Sequence, residues 1–198
     1  DELFAGYPWR YHCIGECSKS SFIDSYFGKW QRLVDEDDLI GLLEPCGKNA
    51  VQNAVNPKDI FRGILEWLPE KLKTKEEQIN ASLYFEAKTF LPGLLMVEDK
   101  LSMAHSLETR VPFLDNDLVD FAQKIPSKYK ITNKTTVTNE NDLKKKIDSE
   151  YKGKKILKDT LKNYFNKKVL DNKKQGFSSP DASWFKGESI DFIKKTLK

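Results

Sequence analysis

The densest collection of reactive side chains lies between Lys100 and Asp115, in the run K-L-S-M-A-H-S-L-E-T-R-V-P-F-L-D. Glu108 and Asp115 are acids, Arg110 is a permanent cation, and Ser102 and Ser106 carry hydroxyls. They are set among Leu101, Met103, Leu107, Val111, Phe113 and Leu114, so partial burial of the polar groups is expected. A buried charge is tolerated only when paired. Glu108 with Arg110 therefore has two readings: an ion pair locking a helix end, or an acid held ready to act on a substrate. At the start of the chain, Asp1 and Glu2 beside Gly6 offer hard oxygen ligands of the kind magnesium takes. His12, Cys13 and Cys17 fall short of the four ligands of a closed zinc site. With Cys46 they leave an odd number of cysteines, and free thiols in a reducing cytoplasm are the simpler reading.

Such groups need elements to hold them. Ser21 and Asp24 resemble a capping box before a helix striped with Ile23, Tyr26, Phe27, Trp30, Leu33 and Val34. Residues 35–56 read as an acidic, turn-rich loop with one helical turn. Asn56 and Pro57 suit an N-cap and first helical position, with Ile60, Phe61, Ile64, Leu65 and Leu68 on the apolar side up to Pro69. Thr74 and Glu77 form a second capping box ahead of the stripe Ile79, Leu83, Ala87 and Phe90, which Pro92-Gly93 is expected to end. A short apolar piece, Leu94 to Val97, leads into the central run, where helix is expected to continue to about Arg110 because Val111 precedes a proline. Asp115 can cap a helix over Asn116–Lys124, stopped by Pro126. Tyr129, Lys130 and Ile131 make the one plausible strand. Residues 132–153 read as an exposed lysine-rich loop, Ile156, Leu157, Leu161, Tyr164 and Phe165 as a helical stripe, and 173–185 as a glycine-turn segment. A last helix carries Ile190, Ile193 and Leu197, and the fold class is mainly α.

With 198 residues, 39% of them hydrophobic and 32% charged, the chain suits a globular protein with a real core. No apolar run reaches the roughly 18 residues of a membrane span, and no signal peptide is visible in the sequence. A net charge of +3 conceals an asymmetry: residues 124–198 carry +11 and residues 1–123 carry −8. Every Lys or Arg after Arg110 is lysine, without groove-reading or base-stacking signals. That favours a solvated basic face, part of which can steer an anionic substrate, over specific nucleic-acid binding. The contrasting reading is a non-catalytic, lysine-rich helical module for polyanions.

Three blocks in order carry a family resemblance. D-E-L-F-A-G-Y at 1–7 resembles the tail of the G-x-G-x-D-E-L-F-x-G-Y block of glutamine-hydrolysing asparagine synthetases. S-M-A-H-S-L-E-T-R-V-P-F-L-D at 102–115 resembles that family's S-M-x-x-S-x-E-x-R-x-P-F-L-D. K-K-Q-G-F-S-S-P at 173–180, after G-K-K-I-L-K at 153–158, resembles its late lysine block. The resemblance implies an ATP-dependent amidotransferase: a carboxylate, most simply aspartate, is adenylated, pyrophosphate leaves, and ammonia released from glutamine gives the amide and AMP. Relatives that amidate sugars or secondary metabolites are the alternative within the family. ATP and magnesium are the implied cofactors, a glutaminase domain the implied partner, and the cytoplasm the implied location, with no membrane association.

No Ser-Gly-Gly occurs in the chain, so the family's S-G-G-x-D-S phosphate loop is not among these residues. Residues 1–198 are therefore expected to be the helical C-terminal portion of a synthetase domain of the α/β adenine-nucleotide α-hydrolase (PP-loop ATPase) kind. The upstream sheet and glutaminase domain would lie outside them, and the amphipathic helices at 79–91 and 156–170 would show an apolar face where that sheet packs. Matched position by position, Asp1 resembles a magnesium ligand near the pyrophosphate. Glu108 resembles the glutamate that orients or deprotonates the nucleophile. Arg110 holds Glu108 or the turn, and Ser102 and Met103 fall in the substrate or ATP-binding block. Lys174 resembles the late lysine that stabilises charge on the α-phosphate, with Lys173 the adjacent rival.

Overall fold

A computed structural model describes residues 1–11, 16–30, 38, 56–132, 152–170, 172 and 189–196. They fall in two compact units, residues 1–160 and 161–198. Most of the expected loops at 35–56 and 132–153, together with His12, Cys13, Leu33, Val34, Cys46, Leu197 and the segment with Lys173 and Lys174, lie outside the described residues.

In the first unit, α1 (Lys19–Trp30), α2 (Pro57–Ile64) and α3 (Lys75–Lys88) enclose the largest core. Phe22, Ile23 and Tyr26 meet Phe61, Leu65, Leu68, Leu72, Ala81 and Phe85 there. Burying each large side chain contributes about 1.5–3 kcal/mol. Local chemistry sets the helix starts. Asn56 accepts from the Lys58 amide at 2.8 Å with Pro57 at the first position. Thr74 and Glu77 complete a reciprocal capping box. Two short strands, β1 (Cys17–Ser18) and β2 (Lys71–Leu72), pair antiparallel with Cys17 opposite Leu72.

Between α3 and Thr132 three expectations need correction. First, Pro92-Gly93 ends nothing: α4 runs unbroken from Phe90 to Ala104. Pro92 is its third residue, where a backbone N–H has no partner within the helix, so the ring costs no hydrogen bond. Second, α4 stops at Ala104, not near Arg110. Ser106 adopts φ 56°, and the amides of Leu107 and Ser106 donate back to the carbonyls of Ser102 and Met103 at 2.9 and 3.0 Å. This is a Schellman ending with serine in the left-handed position. Third, Tyr129–Ile131 is not a strand: α6 (Ser127–Lys130) is one helical turn. Pro126 leads into it, and the Ser127 amide donates to Glu76 Oε1 at 2.9 Å. Thr132 then bridges to Lys152 in antiparallel fashion.

After Ser106 the chain passes through a 3-10 turn at Pro112–Leu114 into α5 (Asn116–Lys124), as expected. Asp115 Oδ1 caps α5 by accepting from the amides of Asp117 and Leu118 at 3.1 and 3.2 Å. Beyond Lys152 comes α7 (Lys155–Leu161). The stripe expected to continue through Phe165 is interrupted by a turn at 162–165. In the second unit, α8 (Lys167–Leu170) is capped by Asn166 Oδ1 on the Val169 amide, and α9 spans Ser189–Thr196. Tyr164, Phe165, Val169 and Phe192 are exposed there. In the first unit the bare apolar surface lies mainly on α4 and beyond, at Met96, Val97, Leu101, Met103, Leu107 and Phe113. Of the stripe expected along 79–91, Leu83 is instead buried and Ile79, Ala87 and Phe90 are half-buried. Among the described residues no helix is long and apolar enough to cross a membrane.

Candidate active site

The N-terminal block forms a closed turn. The Gly6 amide donates to the Asp1 carbonyl at 2.7 Å, and Ala5 takes φ 56°. Asp1 Oδ1 lies where a Cβ on residue 6 would come within 2.1 Å, so only glycine leaves room for that carboxylate. Lys154 forms an ion pair with Asp1. The Lys154 amide donates to the Phe4 carbonyl at 2.9 Å, and Lys154 itself has φ 57°. Burial pulls the Lys154 ammonium below the usual lysine range, against the opposing pull of Glu2. Gly153 presses on the same turn: a Cβ there would meet the Ala5 carbonyl oxygen at 1.9 Å. The first block and the G-K-K-I-L-K run are thus in backbone contact.

The apolar residues of the blocks complete this arrangement. Leu3 and Phe4 are buried with Ala122 and Ile125 of the α5 region, and Leu114, Leu118, Val119, Ile156 and Leu157 pack against them. Residues from D-E-L-F, from P-F-L-D and from G-K-K-I-L-K therefore share one cluster. Ser102, at the end of α4, is buried, with its hydroxyl on the Asp99 carbonyl at 3.1 Å and 3.5 Å from Thr109 Oγ1.

The rest of the central run departs from expectation. Glu108 and Arg110 do pair, but their side chains are 69% and 83% exposed. An ion pair in that setting contributes little stability, so it is not a buried lock. The helix that was expected to reach them ends at Ala104, and Met103 is exposed as well. Asp115 serves as the N-cap. Lys173 and Lys174 lie outside the described residues. Cys17 is a half-buried free thiol, and no group of three or more metal-ligating side chains occurs among the described residues.

Sequence reasoning missed a buried acid. Glu86 of α3 has no exposed surface, and three donors converge on it. Tyr11 Oη lies at 2.5 Å, Tyr26 Oη at 3.0 Å and Arg10 Nη1 at 3.5 Å. The Arg10 guanidinium is itself buried, 3.6 Å over the Trp30 ring and 4.4 Å from that of Tyr7. Burial pushes the Glu86 carboxyl up to about 7, although the Tyr11 hydrogen bond, the Arg10 charge and Tyr26 pull it down. Tyr11 and Tyr26 are pushed well above the ordinary phenol range, by burial first and then by Glu86. One signal was available in the sequence. Residue 86 falls three after Leu83 and seven after Ile79, on the apolar stripe of α3.

Comparison with known proteins agrees with the block pattern. The family model described as Asparagine synthase matches residues 1–198. Glutamine-hydrolyzing asparagine synthetase 1 of Bacillus subtilis (strain 168) is 33% identical over 167 residues, covering 82% of this chain and 24% of that protein. Glutamine-hydrolyzing asparagine synthetase 3 of the same organism is 29% identical over 137 residues, or 66% of this chain and 20% of its own. Amidase chry2 of Gibberella zeae is 21% identical over 134 residues, 67% of this chain and 18% of the relative. The chain thus spans at most about a quarter of the length of these curated relatives. No solved structure matches it. With residues of the first two blocks and of the G-K-K-I-L-K run gathered on one core, and a family match over its whole length, the chain belongs to the asparagine synthase family.

Proposed function

We propose that this chain is the helical C-terminal portion of the synthetase domain of an ATP-dependent amidotransferase, whose sheet is of the PP-loop ATPase kind. The observation that supports it best is the convergence of the D-E-L-F, P-F-L-D and G-K-K-I-L-K residues on one cluster, which fixes Asp1 beside Lys154. In the proposed reaction a carboxylate oxygen, most simply of aspartate, attacks the α-phosphorus of ATP and the bond to pyrophosphate breaks. Ammonia from a glutaminase domain then attacks the acyl carbon, loses a proton and expels AMP, leaving the amide.

Asp1 suits a magnesium ion shared with phosphates. Its carboxylate is pressed into the glycine cradle at Gly6 with Glu2 next in sequence, and such an ion needs only one or two protein carboxylates. Bound there, the ion would neutralise charge on the departing pyrophosphate. Lys154 holds the Asp1 carboxylate in place. Lys174 would stabilise the negative charge that grows on the α-phosphate, with Lys173 the adjacent residue. Glu108, open to solvent on its loop, is free to orient ammonia, and Arg110 steadies it. Ser102 fixes the end of α4 from which that loop departs, and Met103 presents an apolar contact.

The test is isotopic. A full-length polypeptide containing this chain is given ATP, magnesium, ammonia and aspartate labelled with 18O in its carboxylates. An acyl-adenylate path transfers one label from the carboxylate to AMP. Unlabelled AMP, or ADP with phosphate as products, would refute it.

A further inference from the structure

Glu86 is an expensive residue in its place. The core formed by α1–α3 is otherwise rich in aromatic and aliphatic side chains, with Phe61 and Phe85 centroids 4.0 Å apart. Replacing a buried ion pair by apolar residues of similar size is often neutral or stabilising. Stability alone therefore does not account for an acid there, so its partners are informative. Arg10 and Tyr11 both come from the stretch just after the N-terminal block, while Tyr26 comes from α1 and shares its hydroxyl with the Ser82 carbonyl at 3.2 Å.

From this anchor a line of contacts leads back to Asp1. The amides of Arg10 and Tyr11 donate to the carbonyls of Tyr7 and Pro8 at 2.9 and 3.2 Å, which sets the 3-10 turn Pro8–Arg10. Lys29 of α1 holds the same turn by donating to the Arg10 carbonyl at 3.2 Å. The Tyr7 hydroxyl donates to Glu2 Oε1 at 2.8 Å, and its ring meets Phe90 edge-on at the start of α4. The Gly6 amide then closes the block onto Asp1. We propose that Glu86 is a positioning residue for the Asp1 carboxylate, acting through Arg10, Tyr11 and the Tyr7–Glu2 hydrogen bond. This rests on the reading of Asp1 as the acid that holds magnesium against the phosphates.

Two variants test it at pH 8: Glu86→Gln, which keeps shape and removes charge, and Tyr11→Phe, which removes one donor. In the chain itself, amide exchange is read at Gly6 and Arg10, with the amides of α5, capped independently by Asp115, as reference. Loss of a hydrogen bond to a charged group should speed exchange at Gly6 and Arg10 by about tenfold or more while α5 keeps its protection. Unchanged protection at Gly6, or equal loss in α5, overturns the proposal. In a full-length polypeptide, the magnesium concentration that half-saturates pyrophosphate release should rise by about tenfold, with the KM for the carboxylate unchanged. A wild-type magnesium dependence in variants whose Gly6 amide has loosened also overturns it. If the unaltered polypeptide releases no pyrophosphate, the functional reading fails, and the exchange result alone decides whether Glu86 anchors the Asp1 block. If Glu86→Gln does not fold, Tyr11→Phe carries both measurements.

Discussion

Glu86→Gln should flatten a pH dependence of stability that the native chain possesses. The Glu86 carboxyl is raised from its ordinary 4.5 to about 7 in the fold, so the folded chain holds this proton more tightly than the unfolded chain does. The contribution to stability is therefore complete below about pH 4.5 and is lost as pH rises through about 7. At about 1.4 kcal/mol per pH unit, that interval amounts to about 3 kcal/mol. For a chain of this size it corresponds to about 6–12 °C in Tm. Tyr11 and Tyr26, the phenols on the carboxylate, are pushed upward and stay neutral throughout. The glutamine variant lacks the titration. Its offset from wild type, set by how well the amide meets Arg10 and the two phenols, should be independent of pH. Urea melts of both proteins at pH 5, 6, 7 and 8 give the difference directly. The variant should gain on the wild type by about 3 kcal/mol from the acid to the alkaline end. A constant difference, or one that moves in favour of wild type as pH rises, would refute the burial-dominated reading of this site.

Other perturbations probe local features. Thr74→Ala removes half of a capping box and should cost about 1 kcal/mol in denaturant melts. Ser106→Gly relieves a left-handed serine in the Schellman ending of α4 and should stabilise by about 1 kcal/mol; a loss of stability would show that the serine side chain is needed there. Gly153→Ala places a methyl against the Ala5 carbonyl and should cost about 1–3 kcal/mol, with amide exchange rising at residues 4–6 rather than in α3. In a full-length polypeptide, Lys174→Ala should slow turnover by about a hundred- to a thousand-fold with ATP affinity little changed, and Lys173→Ala should do much less; the reverse order would shift the register of the late block by one residue.

What could be read from the sequence was mostly local. Asn56, Thr74 and Asp115 announced their helices because a cap needs only a side-chain oxygen and amides two or three residues on. The same locality explains the errors. Pro92 looks like a stop until it is known to be the third residue of its helix, and Ser106 gave no sign of a left-handed C-terminus, where glycine is the usual signal. The pairing of Cys17–Ser18 with Lys71–Leu72 is made across more than fifty residues, beyond any periodic pattern. Glu86 is the clearest case. Its burial depends on Arg10 and Tyr11, 76 and 75 residues upstream. Of the site, the block motifs marked Asp1, but the lysine that meets it, Lys154, emerged only from the contact of Gly153 with the turn at Ala5.

The most direct test of an adenylating site built on these blocks is pyrophosphate release by a full-length polypeptide, compared with its Asp1→Asn and Lys174→Ala variants. With ATP, magnesium, ammonia and a carboxylate acceptor, the unaltered protein should form AMP and pyrophosphate in equal amounts. Each variant should fall by about a hundred-fold or more while its melting behaviour stays close to wild type. Wild-type rates in the Asp1→Asn variant at limiting magnesium would contradict the assignment of that carboxylate, and ADP with phosphate in place of AMP with pyrophosphate would contradict the chemistry itself.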